Sequence, residues 1–409
     1  MISFSFFIRT KLLENYIAMT ALTFVSALVG LLLYPFVIRQ VGTEAYGLYV
    51  FALTVSNYFD LLVNYGFDTP AVRRVVECKD DKQALSAILS AIFTGKLLLF
   101  ALSLLVFIPL VLFVPLMREN WLLFSLPFIQ IFGMMLFPIW YFQGRKNMKI
   151  VTIINLIFRL LMIPLVFLFI SSPEDNVLYM LIVVGMVFLG GVVATFQIRV
   201  RDGISYGLAN LSELKIYFKE GWSFFLSSIT GVFKESTLTL FLGICFGMHE
   251  VALYDLAVKI VNIPRLFTQS INKALFPEVV DKASKSRVKK IFRYEALIGL
   301  LVMACVAVFG YFLVLFMGGK EMLMAYPMAV ILSVTILTWL IVGAYIHFVF
   351  VPNNRYSFVA KNQFVAMISC LLIFGLIYGL TQSVFSVVIA LSLSGIVEIL
   401  YCIYLTKKI

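Results

Sequence analysis

The sequence predicts an all-α integral membrane protein. About twelve transmembrane helices form two six-helix bundles, related by a pseudo-twofold repeat around a central cavity, with both termini cytoplasmic. Three observations carry this: an apolar composition, positive charge confined to alternate loops, and a repeat at half the chain length. Of the 409 residues, 62% are hydrophobic and 13% are charged, roughly half the charged share of a soluble domain. One bilayer-crossing helix takes about 20 mostly apolar residues, so the apolar content suffices for about twelve. A soluble fold of this length has too little interior to hide so much apolar surface. The alternating ten-residue segments of a membrane β-barrel are absent.

The spans run in order over about residues 16–38, 45–67, 84–114, 121–142, 149–170, 177–198, 219–246, 250–276, 291–317, 322–350, 357–380 and 383–405. The first is not a short apolar core followed by a small-residue cleavage site, so it reads as a retained helix. The connections are too short to hold a soluble domain. Of the 32 Lys and Arg residues, 23 fall in the even-numbered loops or at the termini. The opposite loops carry only Arg39, Arg118 and Lys320. This asymmetry places both termini in the cytoplasm and supports an even number of spans. It also explains the net charge of +11 without nucleic acid. The most basic loop, around 277–295, is a topology determinant or a surface for anionic head groups.

The five cysteines show no CxxC or Cys/His spacing, and there are only two histidines. Neither a disulfide framework, a metal site nor a cofactor is indicated. An ATP-driven pump is excluded at chain level, because no GxxxxGK[ST] loop exists.

Gly42-Thr43-Glu44-Ala45-Tyr46-Gly47-Leu48-Tyr49 and Ala52 overlay Gly247-Met248-His249-Glu250-Val251-Ala252-Leu253-Tyr254 and Ala257. Gly, Leu, Tyr and Ala match at one constant offset, half the chain length. Both segments are outer turns entering a helix, after spans 1 and 7. The halves, 1–205 (spans 1–6) and 206–409 (spans 7–12), therefore share orientation, as in transporters that rock one lobe against the other around a central site.

Ionisable side chains at bilayer depth are costly unless they face a wet cavity or a partner. On span 8, Asp255, Lys259, Asn262, Gln269, Ser270 and Lys273 share a helix face, flanked by Arg265 and Asn272. Asp255 and Lys259, at i and i+4, can neutralise each other, and Lys273 can snorkel. Span 7 aligns Ser223, Ser227, Thr230, Lys234 and Thr237, with Glu235 pointing elsewhere. Span 2 aligns Asn57, Asp60, Asn64 and Asp68, and span 5 aligns Thr152, Asn155 and Arg159. Arg159 and Lys234 read as cavity lining or as members of buried ion pairs. Lys96 lines the cavity or reaches the cytoplasmic face. Glu398 and His347 read as structural.

The interior thus carries Lys96, Arg159, Lys234, Lys259, Arg265 and Lys273, against fewer carboxylates. With Asn262, these are the candidate substrate-binding residues. Arg binds phosphate bidentately and Lys supplies a point charge, so the expected cargo is a large anion such as a pyrophosphate or an acidic sugar. Asp60 and Asp255 are candidates to bind and release H+ or Na+ during the cycle.

Several of these segments resemble a known family. Residues 35–49 (PFVIRQVGTEAYGLY), Asn64-Tyr65-Gly66-Phe67 with Arg73-Arg74, and Pro138-Ile139-Trp140-Tyr141-Phe142-Gln143-Gly144 look like bacterial polysaccharide repeat-unit flippases of the Wzx type. The stretch from Gly221 to Pro277, with Tyr254, Lys259 and Phe276-Pro277, is similar as well. That family often has Asp where Asn64 stands, and the likeness loosens in the last third. The resemblance implies membership of the multidrug/oligosaccharidyl-lipid/polysaccharide exporter superfamily. It further implies the movement of undecaprenyl-pyrophosphate-linked oligosaccharide, for O-antigen or a related surface polysaccharide, across the bacterial inner membrane. A polysaccharide polymerase and a chain-length protein are the partners it implies. Two alternatives stand beside it: a cation-coupled multidrug antiporter of the same superfamily, and a membrane-embedded polysaccharide polymerase or ligase. The excess of interior cations argues against the first and the tiny outer loops against the second.

Overall fold

The computed structural model describes residue 25 and residues 28–78, 80–281, 285–353 and 355–408; side chains are described except at 266–281, 285–289 and 356. All regular structure among the described residues is helical. The helices are α1 (Leu28–Val41), α2 (Thr43–Asn64), α3 (Asp68–Glu77), α4 (Lys82–Phe113), α5 (Pro115–Glu119), α6 (Trp121–Ser125), α7 (Pro127–Leu136), α8 (Ile139–Gly144) and α9 (Met148–Phe169). They continue with α10 (Asn176–Gln197), α11 (Leu211–Cys245), α12 (Met248–Asp281), α13 (Lys285–Gly318), α14 (Ala325–Leu332), α15 (Val334–Tyr345), α16 (Tyr356–Thr381) and α17 (Phe385–Thr406). Nine helical stretches among the described residues are long and apolar enough to cross a membrane. α11 and α12, 35 and 34 residues long, carry the polar stripes of spans 7 and 8 and stand outside that group. A chain immersed in hydrocarbon must satisfy its backbone polar groups internally, and helices do so.

α16 shows how these helices sort their faces. Phe364, Ile368, Leu372, Leu376 and Leu380, each four residues apart, are exposed. Asn362, Ala366, Cys370 and Phe374, also four apart but offset by two, are buried. The apolar stripe therefore points away from the packed interior, the reverse of a helix bathed in water. α4 repeats this with exposed Leu98, Leu102, Leu105, Ile108 and Leu112.

The chain divides into two compact units, one comprising the chain to Ala45 with Phe51–Ile229, the other Tyr46–Val50 with Thr230–Ile409. In the first, α10 packs on α7 and α9, and α3 packs on α8. Its core gathers Phe67, Val75, Leu85, Leu89, Ile92, Trp140, Tyr141 and Phe142. The Trp140-Tyr141-Phe142 run is thus a packing element. Tyr141 is fully buried, and its hydroxyl donates to Asp202 Oδ2 at 2.6 Å. Asp81 caps α4, its Oδ1 accepting from the backbone N–H of Gln83 (2.9 Å) and Ala84 (3.0 Å). In the second unit α16 packs along α17, α13 along α15, and α12 against α14 and α15.

The structure departs from the sequence expectation in three places. Asp68 does not continue the polar line of span 2. Tyr65 takes a left-handed conformation (φ 43°) and ends α2, so Asp68 opens a separate helix, α3, in what reads from sequence as a loop. Span 4 is broken into α6, α7 and α8, with Pro127 opening α7 and Pro138 preceding α8, because proline cannot donate the backbone bond that would continue a helix. The connection between the spans expected at 177–198 and 219–246 is shorter than those bounds imply. Gly203 in the left-handed region (φ 65°) ends the preceding turn, and α11 begins at Leu211.

Tyr141→Phe removes one buried bond to a carboxylate without changing the ring. It lowers unfolding free energy by about 1.5–3 kcal/mol, read as a lower thermal midpoint of the detergent-solubilised protein. An unchanged midpoint would show that the Tyr141–Asp202 bond does not hold this core.

Candidate functional site

The polar residues expected at bilayer depth fall into local clusters. In the first unit a chain of bonds runs from α2 to α4. Asn64 Nδ2 donates to Asp60 Oδ1 (2.8 Å), and Lys96 Nζ donates to Asn64 Oδ1 and to Asp68 Oδ1 (2.9 Å each). Lys96 is buried, and its countercharge is Asp68, which the end of α2 brings round to it.

Arg159 stands differently. Thr152 and Val166 lie seven residues to either side of it on α9, two helical turns away along nearly one line. Both are buried, yet Arg159 between them is exposed. The outward face of α9 is marked by exposed Ile153, Ile157, Leu160, Leu161 and Leu168, roughly opposite that line. Arg159 is therefore an exposed residue on the packed side of its helix. Of the five deep cations with described side chains, it is the one with no ion pair among the described residues.

In the second unit each of the three deep cations with described side chains meets a carboxylate. Lys234 Nζ lies 3.8 Å from Glu398 Oε2. Glu398 is buried on α17, and its Oε1 accepts from Asn362 Nδ2 (3.1 Å) and Gln363 Nε2 (3.2 Å) of α16. Lys259 pairs with Asp255 one turn earlier on α12 and donates to the Tyr46 hydroxyl at 3.1 Å. That hydroxyl donates to Asp255 Oδ2 at 3.0 Å. Arg265 Nη1 lies 3.8 Å from Glu235 Oε1, and its guanidinium sits 3.6 Å from the ring centre of Trp339 on α15. A cation over an indole face at this distance is held by the ring quadrupole as well as by packing. Asn262 is half-buried on α12. The side chain of Lys273 lies outside the described residues.

Sequence reasoning thus found the cations and missed most of their partners. Glu398 read as structural, Trp339 and Gln363 as unremarked span residues, and Tyr46 only as part of a repeated turn. Spacing along one helix exposes the Asp255–Lys259 pair. Lys234–Glu398 joins residues of spans 7 and 12, which no spacing along the chain reveals. The repeat itself has a shared backbone signature: Gly42 (φ 83°) and Gly247 (φ 104°) both turn the chain in the left-handed region just before a helix begins.

A polysaccharide biosynthesis protein family matches residues 12–282. The chain belongs to this family. The segments that resemble the Wzx-type flippases all lie within the matched stretch, and the looser last third lies mostly beyond it. Two curated relatives carry the name "Putative O-antigen transporter". The Escherichia coli (strain K12) protein is 25% identical over 69% of this chain and 68% of its own length. The Shigella dysenteriae protein is 27% identical over 71% and 74%. Among solved structures, the lipid II flippase MurJ in an inward closed conformation matches with TM-score 0.71 at 15% identity, covering 97% of this chain and 87% of that one. An inward-facing multidrug resistance MATE family transporter of the MOP superfamily matches with TM-score 0.68 at 14% identity, covering 93% and 98%. The family member described here therefore has the MOP-superfamily transporter fold. It is a multi-pass membrane protein whose curated relatives are named as transporters, not enzymes, which sets aside the polymerase or ligase alternative.

Lys234→Met leaves Glu398 buried without its countercharge and costs about 3 kcal/mol of stability, seen as a lower thermal midpoint in detergent. Adding Glu398→Gln to that variant restores most of the loss. A double variant no more stable than the single one would contradict the pairing.

Proposed function

We propose that this protein is a flippase that carries undecaprenyl-pyrophosphate-linked oligosaccharide from the cytoplasmic to the periplasmic leaflet of the bacterial inner membrane. It works by alternating access of its two sequence halves, 1–205 and 206–409, with both termini in the cytoplasm. The observation that carries this reading is Arg159, an exposed residue at mid-helix on the packed side of α9 whose guanidinium has no carboxylate partner among the described residues. A cation held there without a countercharge is a receptor for an anion, and the planar guanidinium matches phosphate oxygens two at a time. The names of the relatives and the family's description support polysaccharide export as the setting.

Lys234, Lys259 and Arg265 are the second tier of this reading. Their pairs with Glu398, Asp255 and Glu235 keep them neutralised until the head group arrives, and a pyrophosphate competes with those carboxylates for the same ammonium and guanidinium groups. Lys96 lies deeper in its own cluster and serves the first unit's packing. A proton or Na+ as the driving cation belongs to the same proposal. Carboxylates displaced from their cations in a low-dielectric interior bind a proton or a monovalent ion to offset their desolvation. Asp255 is the first such group because the head group's target, Lys259, is its partner, and Asp60 is the second. A multidrug antiporter of organic cations is disfavoured by a free arginine in the interior.

The test is a chromosomal Arg159→Ala variant in a strain deleted for its own copy of the gene. Surface polysaccharide falls at least about tenfold, in line with loss of a bidentate charge-assisted pair of about 1.5–3 kcal/mol. Lipid-linked units accumulate on the cytoplasmic side at unchanged protein level, and Arg159→Lys retains part of the export. Normal polysaccharide in Arg159→Ala would overturn the proposal.

A further inference from the structure

Arg73 and Arg74 stand side by side in the sequence, and neither takes part in the deep clusters. The structure sets them on α3, beside a cavity of about 520 Å³ within the first compact unit. Pro70, Arg73, Arg74 and Glu77 of α3 line one side of it, and Glu220 and Phe224 of α11 line the other. The two helices are clamped together just before the cavity. Gly66, in the left-handed region (φ 73°), comes so close to α11 that a Cβ there would lie 2.7 Å from the Gly221 carbonyl oxygen. The ring of Tyr65 stacks on Phe225 with centroids 4.8 Å apart. Packed helices, not loops, therefore bound the cavity.

Its polar groups have spare capacity. Arg74 is held in place: its Nε and Nη2 donate to Glu220 Oε2 (3.0 Å) and Oε1 (2.6 Å), and its guanidinium lies 4.8 Å from the ring centre of Tyr217. Arg73 donates its Nε to Glu77 Oε1 at 2.8 Å. A guanidinium has five N–H groups. Arg73 spends one and Arg74 two, which leaves four and three without a partner among the described residues. Glu77 Oε2 likewise accepts no bond among them. Two guanidinium and two carboxylate groups make the lining electrically balanced.

We propose that this cavity binds the zwitterionic head group of an amine-bearing glycerophospholipid. The spare N–H groups of Arg73 and Arg74 hold the phosphate, and Glu77 takes the ammonium. Charge selects this occupant. A ligand with one charge of each sign suits a balanced lining, whereas a multiply charged anion would face two carboxylates. Position agrees with it. α3 joins spans 2 and 3, a connection that the charge asymmetry puts on the cytoplasmic side, at head-group level. Val76 of α3 and Trp222 and Phe224 of α11 are exposed there, an apolar surface for the lipid's glycerol and upper chains, with tryptophan at the depth it favours. The volume lies in the range of small-ligand sites, about 300–1,000 Å³. This inference does not rest on the flippase reading, since none of its residues belongs to the deep clusters.

The experiment uses the full-length protein purified in detergent. Dioctanoyl phosphatidylethanolamine, its phosphatidylglycerol counterpart and inorganic phosphate are the probes, and binding is measured by titration calorimetry. The ethanolamine lipid binds about tenfold tighter than the glycerol lipid, and inorganic phosphate does not displace it. Arg73→Ala weakens the ethanolamine lipid about tenfold, the loss of one charge-assisted bond. Glu77→Gln leaves the phosphate held and removes the preference between the two lipids. The Arg73 and Glu77 side chains are 83% and 55% exposed, so neither change shifts the thermal midpoint of the lipid-free protein. Arg73→Lys, which keeps the charge and loses the fork, falls between wild type and Arg73→Ala. A glycerol lipid bound as tightly as the ethanolamine lipid, displacement by inorganic phosphate, or no binding of either lipid would overturn the proposal. So would an affinity unchanged in Arg73→Ala, or a preference that survives Glu77→Gln.

Discussion

An ammonium or guanidinium group in the hydrocarbon layer must find a countercharge or water, and the interior of this protein is arranged around that constraint. Lys96 meets Asp68, Lys234 meets Glu398, Lys259 meets Asp255, and Arg265 meets Glu235 and the face of Trp339. Each pair is drawn from different helices or different turns, so satisfying the charges also fixes how those helices register. Paired charges of this kind contribute little net stability, since desolvation cancels much of the attraction. Their presence where an apolar side chain would pack as well is the mark of an interior built for something other than stability. Arg159 departs from the pattern.

Much of the fold was legible because membrane immersion simplifies the code. Apolar runs of span length follow from a single physical cause, the thickness of the hydrocarbon layer, and need no tertiary contacts to be read. The interruptions were harder. Tyr65 in the left-handed region and the prolines of span 4 break helices that hydropathy alone sees as continuous, and Asp68 shifts from the end of one helix to the start of another as a result. The breaks also have consequences for packing, because α3 and α8 lie against each other only where α2 and span 4 have turned.

The candidate site was half legible. Helical periodicity collected Asp255, Lys259 and Asn262 on one face and marked Arg159 as deep, because those are relations within one helix. It had no means of joining Lys234 to Glu398 or Tyr46 to Asp255, which are separated by much of the chain and meet only through tertiary packing. Glu398 and Tyr46, which sequence reasoning set aside, prove to be polar partners of cations it had singled out. The repeat carried a clue that periodicity missed. In the first half its turn places Tyr46 and Gly47 against α12, whereas the matching positions of the second half hold Val251 and Ala252. The two halves share a turn and differ in what that turn does.

The central claim is that a phosphate-bearing head group is carried by exchange onto interior cations headed by Arg159. The most direct test is translocation in proteoliposomes containing only the purified protein, with polyprenyl-pyrophosphate-linked oligosaccharide and an uncharged glycolipid of the same sugar and tail length supplied together. The account predicts rapid movement of the pyrophosphate-linked lipid between leaflets, with the uncharged one left behind. Equal rates for the two lipids would contradict it.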